Sequence, residues 1–421
     1  MHRIVIAIIL YVATASAVVA ASGSWHIAVS EPLTDVERGR WPILAQLDSG
    51  ITANDASRLI LHGPDGAVPF QVMTVLEPDV ARVPGVAVGD HLEICFFADL
   101  ARGGAQTFTL NLMDAGGIQG PAPKTTLAYE GESYGTAVDT GPVLFEFDPR
   151  SGQFLGYTPK LAGETAPKGF SQDFRQPVHW NPDVWVPVVP WGHVSDWDSG
   201  KPDLTPEFAE SRGPLVYRAV RRGIMPNSNN TEAEVSYTVF AGMPFILEAS
   251  RMRFTAETQA KAVRHNELVF SRGVHTHGLW PDGDGKPQRC RLYDPDAPKT
   301  FHGTPKRMRA DIEWVGLCND QMRYGINILT LAYENDARAS YYFLDYGEHG
   351  TEERYHYNFS YVCRSLVSHA SVAADAVFSE RSAFLVYKLD EDDTKTYDEM
   401  LHWSRLLQNP PAVRVWQSID Q

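Results

Sequence analysis

The second half of the chain consists almost entirely of segments in which apolar and polar residues alternate, with little of the three-to-four-residue spacing that marks a helix. This alternation places the apolar side chains on one face of an extended strand. Strands that follow one another without intervening helices pair in antiparallel fashion. The pattern therefore predicts one large antiparallel sandwich. Its predicted strands are 214–222, 232–240, 244–254, 262–270, 311–318, 324–333, 339–346, 354–365 and 382–387.

Shorter alternating segments precede this region, with clusters of Gly, Pro, Asp and Asn between them. Short strands separated by turn residues are typical of a small β-sandwich. After them, 115–124 is rich in Gly and Pro, which interrupt strand pairing, so we predict a linker there. The predicted domains are an N-terminal β-sandwich at 25–114 and a larger antiparallel domain at 125–421. The short segments are 25–29, 41–47, 58–61, 68–74, 91–97 and 106–112.

Helical spacing occurs only near the end of the chain. Acidic residues lie in its first turn, and two prolines, which cannot continue a helix, follow it. We predict a short amphipathic helix packed on the sandwich, so the fold class is all-β with one short C-terminal helix. The residues at helical spacing are Tyr397, Met400, Leu401, Ser404 and Leu407.

The first residues have the features of a secretory signal. His2 and Arg3 precede an apolar run at 4–12, and small residues follow at 15, 17, 20 and 21. This pattern predicts a signal peptide at 1–21 and therefore a secreted or periplasmic protein. Because no later run of about 18 apolar residues exists, we predict no membrane insertion.

The formal net charge is −15. A charge of this sign makes nucleic acid an unfavourable partner, because phosphates are repelled. A local arginine cluster can still bind an acidic polysaccharide, since charges act over only about 8 Å at physiological ionic strength.

The chain has four cysteines, Cys95, Cys290, Cys318 and Cys363. They are too few for a disulfide scaffold, and no pair has the CxxC spacing of a thiolate zinc site. Cys290 and Cys318 flank a polar loop and are the pair we expect to bridge first among three possible connectivities.

The stretch 174–198 holds four tryptophans, two histidines and four prolines. The prolines fix φ and lack a backbone donor, so this stretch cannot be a helix and can join a sheet only through short edge strands. Indole rings beside polar side chains suit a site where sugar rings stack and hydroxyls are bound. Alternatively, the tryptophans close the end of a sandwich. The predicted substrate-binding residues here are His179, Trp180, Asn181, Trp185, Trp191 and His193.

Three further segments carry a resemblance to known proteins. They are TGPVLFEFDPRSGQF at 140–154, SRGPLVYRAV at 211–220 and VSYTVFAGMPFILEASRMRF at 235–254. Together with the N-terminal sandwich they resemble the galactose-mutarotase-like β-supersandwich domains of secreted carbohydrate enzymes, and most of all the exo-rhamnogalacturonan-lyase-like proteins. The resemblance implies the fold and the substrate class. Nothing before residue 390 has the pattern of the helical toroid that many polysaccharide lyases carry, which argues against endo-type analogies.

Histidines recur at 264–267 and 275–280. If His275 and His277 lie on one strand they share a face, about 7 Å apart, which suits two metal ligands or a base beside a substrate-binding group. The alternative is a pair of imidazoles hydrogen-bonded on an outer face. In the same segments, Glu267 and Trp280 are predicted to bind substrate.

β-Elimination at a uronic acid would use these residue types. The reaction needs a base for the proton beside the carboxylate and cations that stabilise the developing enediolate. We expect His275 or His277 to act as base or acid, and Arg264 to neutralise the carboxylate. A tyrosine can serve as base when a nearby cation lowers its pKa. The predicted catalytic residues are His275, His277, Arg264, His265 and Tyr342.

The predicted function is a secreted enzyme that cleaves a uronic-acid-containing polysaccharide, with a polysaccharide or oligosaccharide as its partner. A glycoside hydrolase or sugar epimerase, which would use paired carboxylates, stays open, as does a non-catalytic glycan-binding protein. Candidate carboxylates are Glu267, Glu334, Asp345, Glu348, Glu352 and Glu353. No cofactor is predicted, although a divalent metal is possible. Its ligands would come from His179, Asp183, His193, Asp196, His275 and His277.

Overall fold

The computed structural model describes most of the chain that follows the predicted signal peptide, and 1–21 lies outside the described residues. The described residues are 23–47, 51, 53–74, 92–113, 120–160, 169–170, 179, 182–188, 191–271, 274–292, 306–307, 314–334, 341–346 and 359–418.

Strands make up almost all of the regular structure in these residues. The first are β1 (Ser24–Ser30), β2 (Gly39–Leu47), β3 (Leu59–Gly63), β4 (Gly66–Ala67), β5 (Phe70–Thr74), β6 (Leu92–Leu100) and β7 (Ala105–Leu112). Then come β8 (Ala128–Glu130), β9 (Ala137–Asp139), β10 (Val143–Phe147), β11 (Phe154–Pro159), β12 (Gly169–Phe170), β13 (Asp183–Trp185), β14 (Trp191–His193) and β15 (Glu207–Arg212).

The later strands are longer. They are β16 (Val216–Ile224), β17 (Thr231–Phe240), β18 (Phe245–Phe254), β19 (Thr258–Ser271), β20 (His277–Pro281), β21 (Pro287–Arg291), β22 (Lys306–Arg307), β23 (Trp314–Asn319), β24 (Tyr324–Glu334), β25 (Tyr341–Tyr346), β26 (Phe359–Val372), β27 (Val377–Lys388) and β28 (Ala412–Gln417). One α-helix, α1, spans Asp393–Gln408, and 3-10 turns lie at Ala53–Arg58, Ser133–Gly135, Val194–Asp196 and Pro202–Leu204.

Two small antiparallel sheets form an N-terminal sandwich. One has the order β28-β1-β7-β3-β4 and the other the order β2-β6-β5. The rings of Phe96 and Phe108 lie 4.7 Å apart where the two sheets meet. Trp25, Ile27 and Val29 alternate into this core, because successive side chains of a strand point to opposite faces. The predicted small β-sandwich is confirmed.

The rest of the fold is a large antiparallel supersandwich, as the alternation predicted. Its main sheet has nine strands in the order β15-β16-β17-β18-β27-β24-β23-β20-β21. A six-stranded sheet, β14-β13-β19-β26-β25-β22, and a five-stranded sheet, β12-β11-β10-β9-β8, lie against one face of it. Phe154 of the five-stranded sheet stacks on Phe384 of the main sheet, with ring centroids 6.0 Å apart.

The inner face of the main sheet is partly polar. On β18 the residues that face this side are Ile246, Glu248, Ser250, Met252 and Phe254, all buried and in strict alternation, whereas Phe245 is buried on the outer face. A carboxylate and a hydroxyl therefore occupy positions that the pleat assigns to the core. Buried polar groups are costly unless they find partners, so this face is a natural place to look for a site.

The outer face of the main sheet carries the N-terminal sandwich and the helix. The ring of Phe245 lies 5.8 Å from both Trp41 and Trp403. The guanidinium of Arg218 donates to Glu93 at 2.6 Å, and both side chains are buried. Burying a large apolar side chain contributes about 1.5–3 kcal/mol, so these contacts join the two sandwiches firmly.

Helix α1 confirms the predicted C-terminal helix. The Asp392 side chain caps its first turn by accepting from the Thr394 amide. Tyr397, Met400 and Leu407 are buried, as their spacing predicted. No helix in the described part of the chain is both long and apolar enough to cross a membrane.

The last strand departs from the predicted division of domains. β28 pairs with β1, with Val415 opposite Ile27, and so completes the N-terminal sheet. The chain therefore returns to its first domain after building the second. The domain bounds themselves remain a prediction.

The expected disulfide is wrong, since all four cysteines are free. Cys290 lies opposite Gly278 on one side of β20, whereas Cys318 lies opposite His277 on the other side. Adjacent positions of β20 point to opposite faces, and the two outer strands are about 10 Å apart. The two side chains therefore point apart, and their strands are too far from each other for a disulfide.

Candidate functional site

The tryptophan-rich stretch forms a small hairpin at the edge of the six-stranded sheet. In this tryptophan hairpin, β13 and β14, Asp183 lies opposite His193 and Trp185 opposite Trp191. The two indole rings are 4.9 Å apart. The prediction of short edge strands is confirmed, and the cause is the prolines on either side. Trp180 and Asn181 lie outside the described residues.

Cations cover part of both half-buried indoles. The Lys261 ammonium lies 4.5 Å from the Trp185 ring centroid, and the Arg264 guanidinium lies 4.1 Å from that of Trp191. Each contact is worth about 0.5–2 kcal/mol. A sugar stacking on these faces would have to displace a cation, so they are not open platforms.

Arg264 is already neutralised by two buried carboxylates. Its Nη2 lies 2.6 Å from Asp183 Oδ2 and 2.7 Å from Glu267 Oε2. His193 Nδ1 also lies 3.7 Å from Asp183. The expectation that Arg264 neutralises a substrate carboxylate therefore needs correction. The Arg264–Asp183 pair joins the hairpin to β19, and Glu267 is a second buried partner of Arg264 on β19 itself. Breaking such a buried pair costs about 3–5 kcal/mol.

Trp197 agrees with the alternative interpretation, in which the tryptophans close the end of a sandwich. It is 2% exposed, and its indole N–H donates to the Ile224 carbonyl at 2.9 Å. Burial of the ring with its donor satisfied is typical of a core tryptophan. The stretch therefore both closes one end of the sandwich and presents a half-buried edge.

Two predicted histidines enter the space between the main and six-stranded sheets. We call the side chains that meet there the inter-sheet cluster: His179, His265, Tyr237, Glu248, Glu380 and Arg221. His265 Nδ1 lies 3.2 Å from Glu380 Oε2, and His179 Nδ1 lies 2.6 Å from the Tyr237 hydroxyl. Each member is at most 2% exposed.

The two carboxylates of the inter-sheet cluster lie on adjacent strands. Glu248 pairs with Ser382 and Glu380 with Ser250, so the glutamates are diagonal neighbours on one face. Such neighbours are within reach of long side chains. Burial, and then the nearby Glu380 carboxylate, raise the pKa of Glu248 well above its usual range. A neutral acid beside a second carboxylate is an arrangement used in acid–base catalysis.

The inter-sheet cluster also contains polar atoms without a hydrogen-bond partner in the described part of the chain. They include both Glu248 oxygens, Nε2 of His179, and Nε and Nη1 of Arg221. Burial lowers the pKa of His179 well below 6.5, with smaller contributions from Arg221 and His265. Buried unsatisfied groups cost about 1–3 kcal/mol each, and active sites are one place where such a cost is retained.

His275 and His277 do not act as a pair. The strand begins at His277, so His275 precedes it and turns into the core, where it is 1% exposed. Its Nε2 lies 2.6 Å from the Tyr157 hydroxyl. Burial lowers the pKa of His275 to about 3. The expectation that both imidazoles share one strand face is wrong, because β20 pairs with β23 only from His277 onward.

His277 lies at the exposed edge hairpin of β20 and β21. Its side chain is 23% exposed, with Nδ1 3.1 Å from Asp320 Oδ2 and 3.0 Å from Thr276 Oγ1. A carboxylate partner holds the proton on Nδ1 and leaves the lone pair of Nε2 as the acceptor. This dyad is the geometry in which a carboxylate orients a histidine base.

Two arginines share the face of His277. Arg291 lies directly opposite it on β21, and Arg289, two residues earlier, forms ion pairs with Asp320 and Asp393. Burial, followed by Arg289 and Arg291, lowers the pKa of His277 below 6.5. The imidazole is therefore neutral at pH 7 and can accept a proton. We call His277, Asp320, Arg289 and Arg291 the edge dyad site.

Two other predicted residues, Trp280 and Tyr342, lie on β20 and β25. Trp280 is on β20 and half-buried against the core, and its carbonyl accepts from the Tyr397 hydroxyl at 3.2 Å. Tyr342 is on β25 with its backbone opposite Cys363. Among the described residues, no three His, Cys, Asp or Glu side chains are grouped as metal ligands.

Glu248, Glu380, Asp320 and Arg291 were not predicted. The sequence could have indicated Glu248, because it occupies a position of an alternating strand whose side chain points towards the core. Asp320 had none, since it follows β23 in a turn and meets His277 only through strand pairing.

Comparison with known proteins shows a likeness of fold. No family model and no curated protein matches the chain. A glycosyl hydrolase family 38 protein from Enterococcus faecalis matches 93% of this chain and 47% of its own, at 10% identity and a TM-score of 0.50. An alpha-mannosidase from Enterococcus faecalis V583 matches 93% of this chain and 46% of its own, at 11% identity and a TM-score of 0.49. The chain spans about half the length of these two proteins.

A galactose 1-epimerase from Lactobacillus acidophilus NCFM matches over 64% of this chain and all of its own, at 8% identity and a TM-score of 0.40. At these identities the comparison with the family 38 protein shows a shared β-sandwich architecture and nothing about activity.

Proposed function

We propose that this protein is an exported carbohydrate-active enzyme that cleaves a uronic-acid-containing polysaccharide by β-elimination at the edge dyad site. One observation carries the proposal: the partly exposed His277 is oriented by the Asp320 carboxylate and lies on the same face of the sheet as two arginines of the neighbouring strand. The fold likeness to a glycosyl hydrolase family 38 structure supports a sugar as substrate. The signal-like N-terminus supports export.

Each group of the edge dyad site has a role in this scheme. His277 Nε2 removes the proton on the carbon beside the uronate carboxylate. Asp320 stabilises the imidazolium that forms, since its oxygen lies 3.1 Å from Nδ1. Arg291 pairs with the substrate carboxylate and so stabilises the enediolate. The electron pair then forms the carbon–carbon double bond, the glycosidic C–O bond breaks, and the departing oxygen takes a proton from solvent.

The test is the ultraviolet absorbance of the unsaturated uronate while the mature protein is offered pectic, arabinogalactan, ulvan and glucuronan substrates. We expect absorbance to rise with at least one of them, and His277→Gln to lower kcat by about a hundredfold or more. Arg291→Gln should raise KM and also lower kcat, because Arg291 binds the carboxylate and stabilises the enediolate. His402→Gln, at an exposed position of α1, is the matched control and should leave the rate unchanged. Full activity in His277→Gln would remove the edge dyad site from the mechanism.

The inter-sheet cluster favours a second candidate function. Two carboxylates on adjacent strands, one with a raised pKa, suit acid–base chemistry at a sugar, as in a glycoside hydrolase or an epimerase. In that case the substrates yield new reducing ends or a changed sugar configuration without ultraviolet absorbance. Glu380→Gln would then abolish turnover, whereas His277→Gln would not.

A further inference from the structure

A cavity of about 590 Å³ lies beside the tryptophan hairpin and shares no residue with the edge dyad site or the inter-sheet cluster. Small-molecule pockets have volumes of about 300–1,000 Å³. Its walls come from the turn of the tryptophan hairpin, the loop between β16 and β17, the start of β19 and the turn at 202–204. We call it the amide pocket, because Asn227, Asn229, Asn230 and Gln259 line it.

The chemistry of the lining is neutral and polar on one side and apolar on the other. Ser228 and Thr258 are buried beneath the amides' loop with their hydroxyls hydrogen-bonded within the protein, and Asp203 is the one charged residue among the described lining residues. Val188 and Ile224 face it from the apolar side and are 91% and 50% exposed. The amides both donate and accept, as the hydroxyls of a sugar require, and apolar side chains cover its carbon face.

The asparagines are held in a conformation that few residues adopt. Asn227, Asn229 and Asn230 have φ of 56°, 56° and 62°. Asparagine tolerates this left-handed region better than other residues with a side chain, and glycine adopts it freely. All three side chains are exposed, and Asn229 Nδ2 lies 3.2 Å from Thr258 Oγ1. The loop thus directs its amides outward at a cost in backbone strain.

The walls of the amide pocket are preorganised. Ser228 Oγ donates to the Met225 carbonyl at 2.6 Å and accepts from the Thr231 amide at 3.1 Å, which fixes the asparagine loop. Gly192 of the tryptophan hairpin packs so closely on the Pro226 carbonyl that a Cβ would clash with it. A rigid pocket loses little entropy on binding, so it favours a ligand that fits.

We infer that the amide pocket is a binding site for a neutral saccharide, separate from the proposed site of catalysis. An anionic sugar is disfavoured, because the described lining has no Lys or Arg and contains Asp203. A site of this kind would hold the uncharged part of a substrate, or a neutral branch, while chemistry proceeds elsewhere. Its existence does not depend on which reaction the enzyme performs.

The test is calorimetric titration of the mature protein with cello-, xylo-, manno- and galacto-oligosaccharides, and with galacturonan oligosaccharides as the anionic comparison. We expect at least one neutral series to bind. In the variant with Asn227→Gly, Asn229→Gly and Asn230→Gly, which keeps the left-handed loop but removes the amides, Kd should rise about tenfold or more.

The matched control is Asp375→Gly. Asp375 is another exposed residue with φ of 62°, at a turn outside the amide pocket, and its variant should bind like the wild type. Asn230→Gly alone should raise Kd about threefold and provides a milder variant should the triple variant fail to fold. The inference is overturned if no neutral oligosaccharide binds, if only the galacturonans bind, or if Kd is unchanged when the amides are removed.

Discussion

The buried imidazole of His275 should make the protein sensitive to mild acid. Burial lowers its pKa from 6.5 to about 3. A folded-state pKa below the unfolded value means that the contribution of His275 to the free energy of unfolding is fully present above pH 6.5. This contribution is lost as pH falls towards 3. Since one pH unit corresponds to about 1.4 kcal/mol, the whole loss from this group is about 5 kcal/mol, of which about 2 kcal/mol falls between pH 7 and pH 5.

The measurement is the free energy of unfolding from urea titrations at pH 7 and pH 5, with tryptophan fluorescence as the signal. In His275→Gln the amide can still contact the Tyr157 hydroxyl, so the variant should lose only about 1 kcal/mol at pH 7. Between pH 7 and pH 5, the free energy of unfolding of His275→Gln should then fall by about 2 kcal/mol less than that of the wild type. His369→Asn, at an exposed position of β26 with φ of 49°, is the control that should leave the pH dependence unchanged.

An equal fall in stability for wild type and His275→Gln would refute the reasoning. It would mean that the imidazole reaches solvent, or that the folded protein accommodates its charge. A larger fall in the variant would point to other groups, with buried His179 as the first to examine, because its pKa is also lowered.

Two further expectations concern buried charge. Arg264→Gln should lower the free energy of unfolding by about 3–5 kcal/mol, because the carboxylates of Asp183 and Glu267 would stay buried without the Arg264 guanidinium. Urea titration at pH 7 measures this loss, and a loss below 1 kcal/mol would contradict the expectation. Wild-type stability should fall as pH rises above 4.5, to the extent set by Glu248, whose folded-state pKa is raised. Glu248→Gln removes this contribution, so the free energy of unfolding of the variant minus that of the wild type, from urea titrations, should increase from pH 5 to pH 8. A constant difference would argue against a neutral Glu248.

Alternation and helical spacing were enough to predict most of the long strands, the two sandwiches and helix α1, because these patterns record which side chains must face a core. They did not predict β15, β21 or β28. They also placed β13 and β14 at a sheet edge, since proline cannot join a central ladder. The same reasoning selected His179 and His265 without their partners Tyr237 and Glu380. It selected His277 without Asp320.

The sequence by itself determined that the chain is all-β, which residues of each strand share a face, and which residue types are available for sugar chemistry. Only the tertiary structure decided which of those residues meet. Glu380 lies beside His265 because β27 of the main sheet faces β19 of the six-stranded sheet, and Asp320 reaches His277 because β23 is the neighbour of β20. Periodicity along a strand fixes the direction of a side chain, whereas the order of strands in a sheet depends on the packing of the whole chain. For that reason two histidines two residues apart, His275 and His277, point into different surroundings.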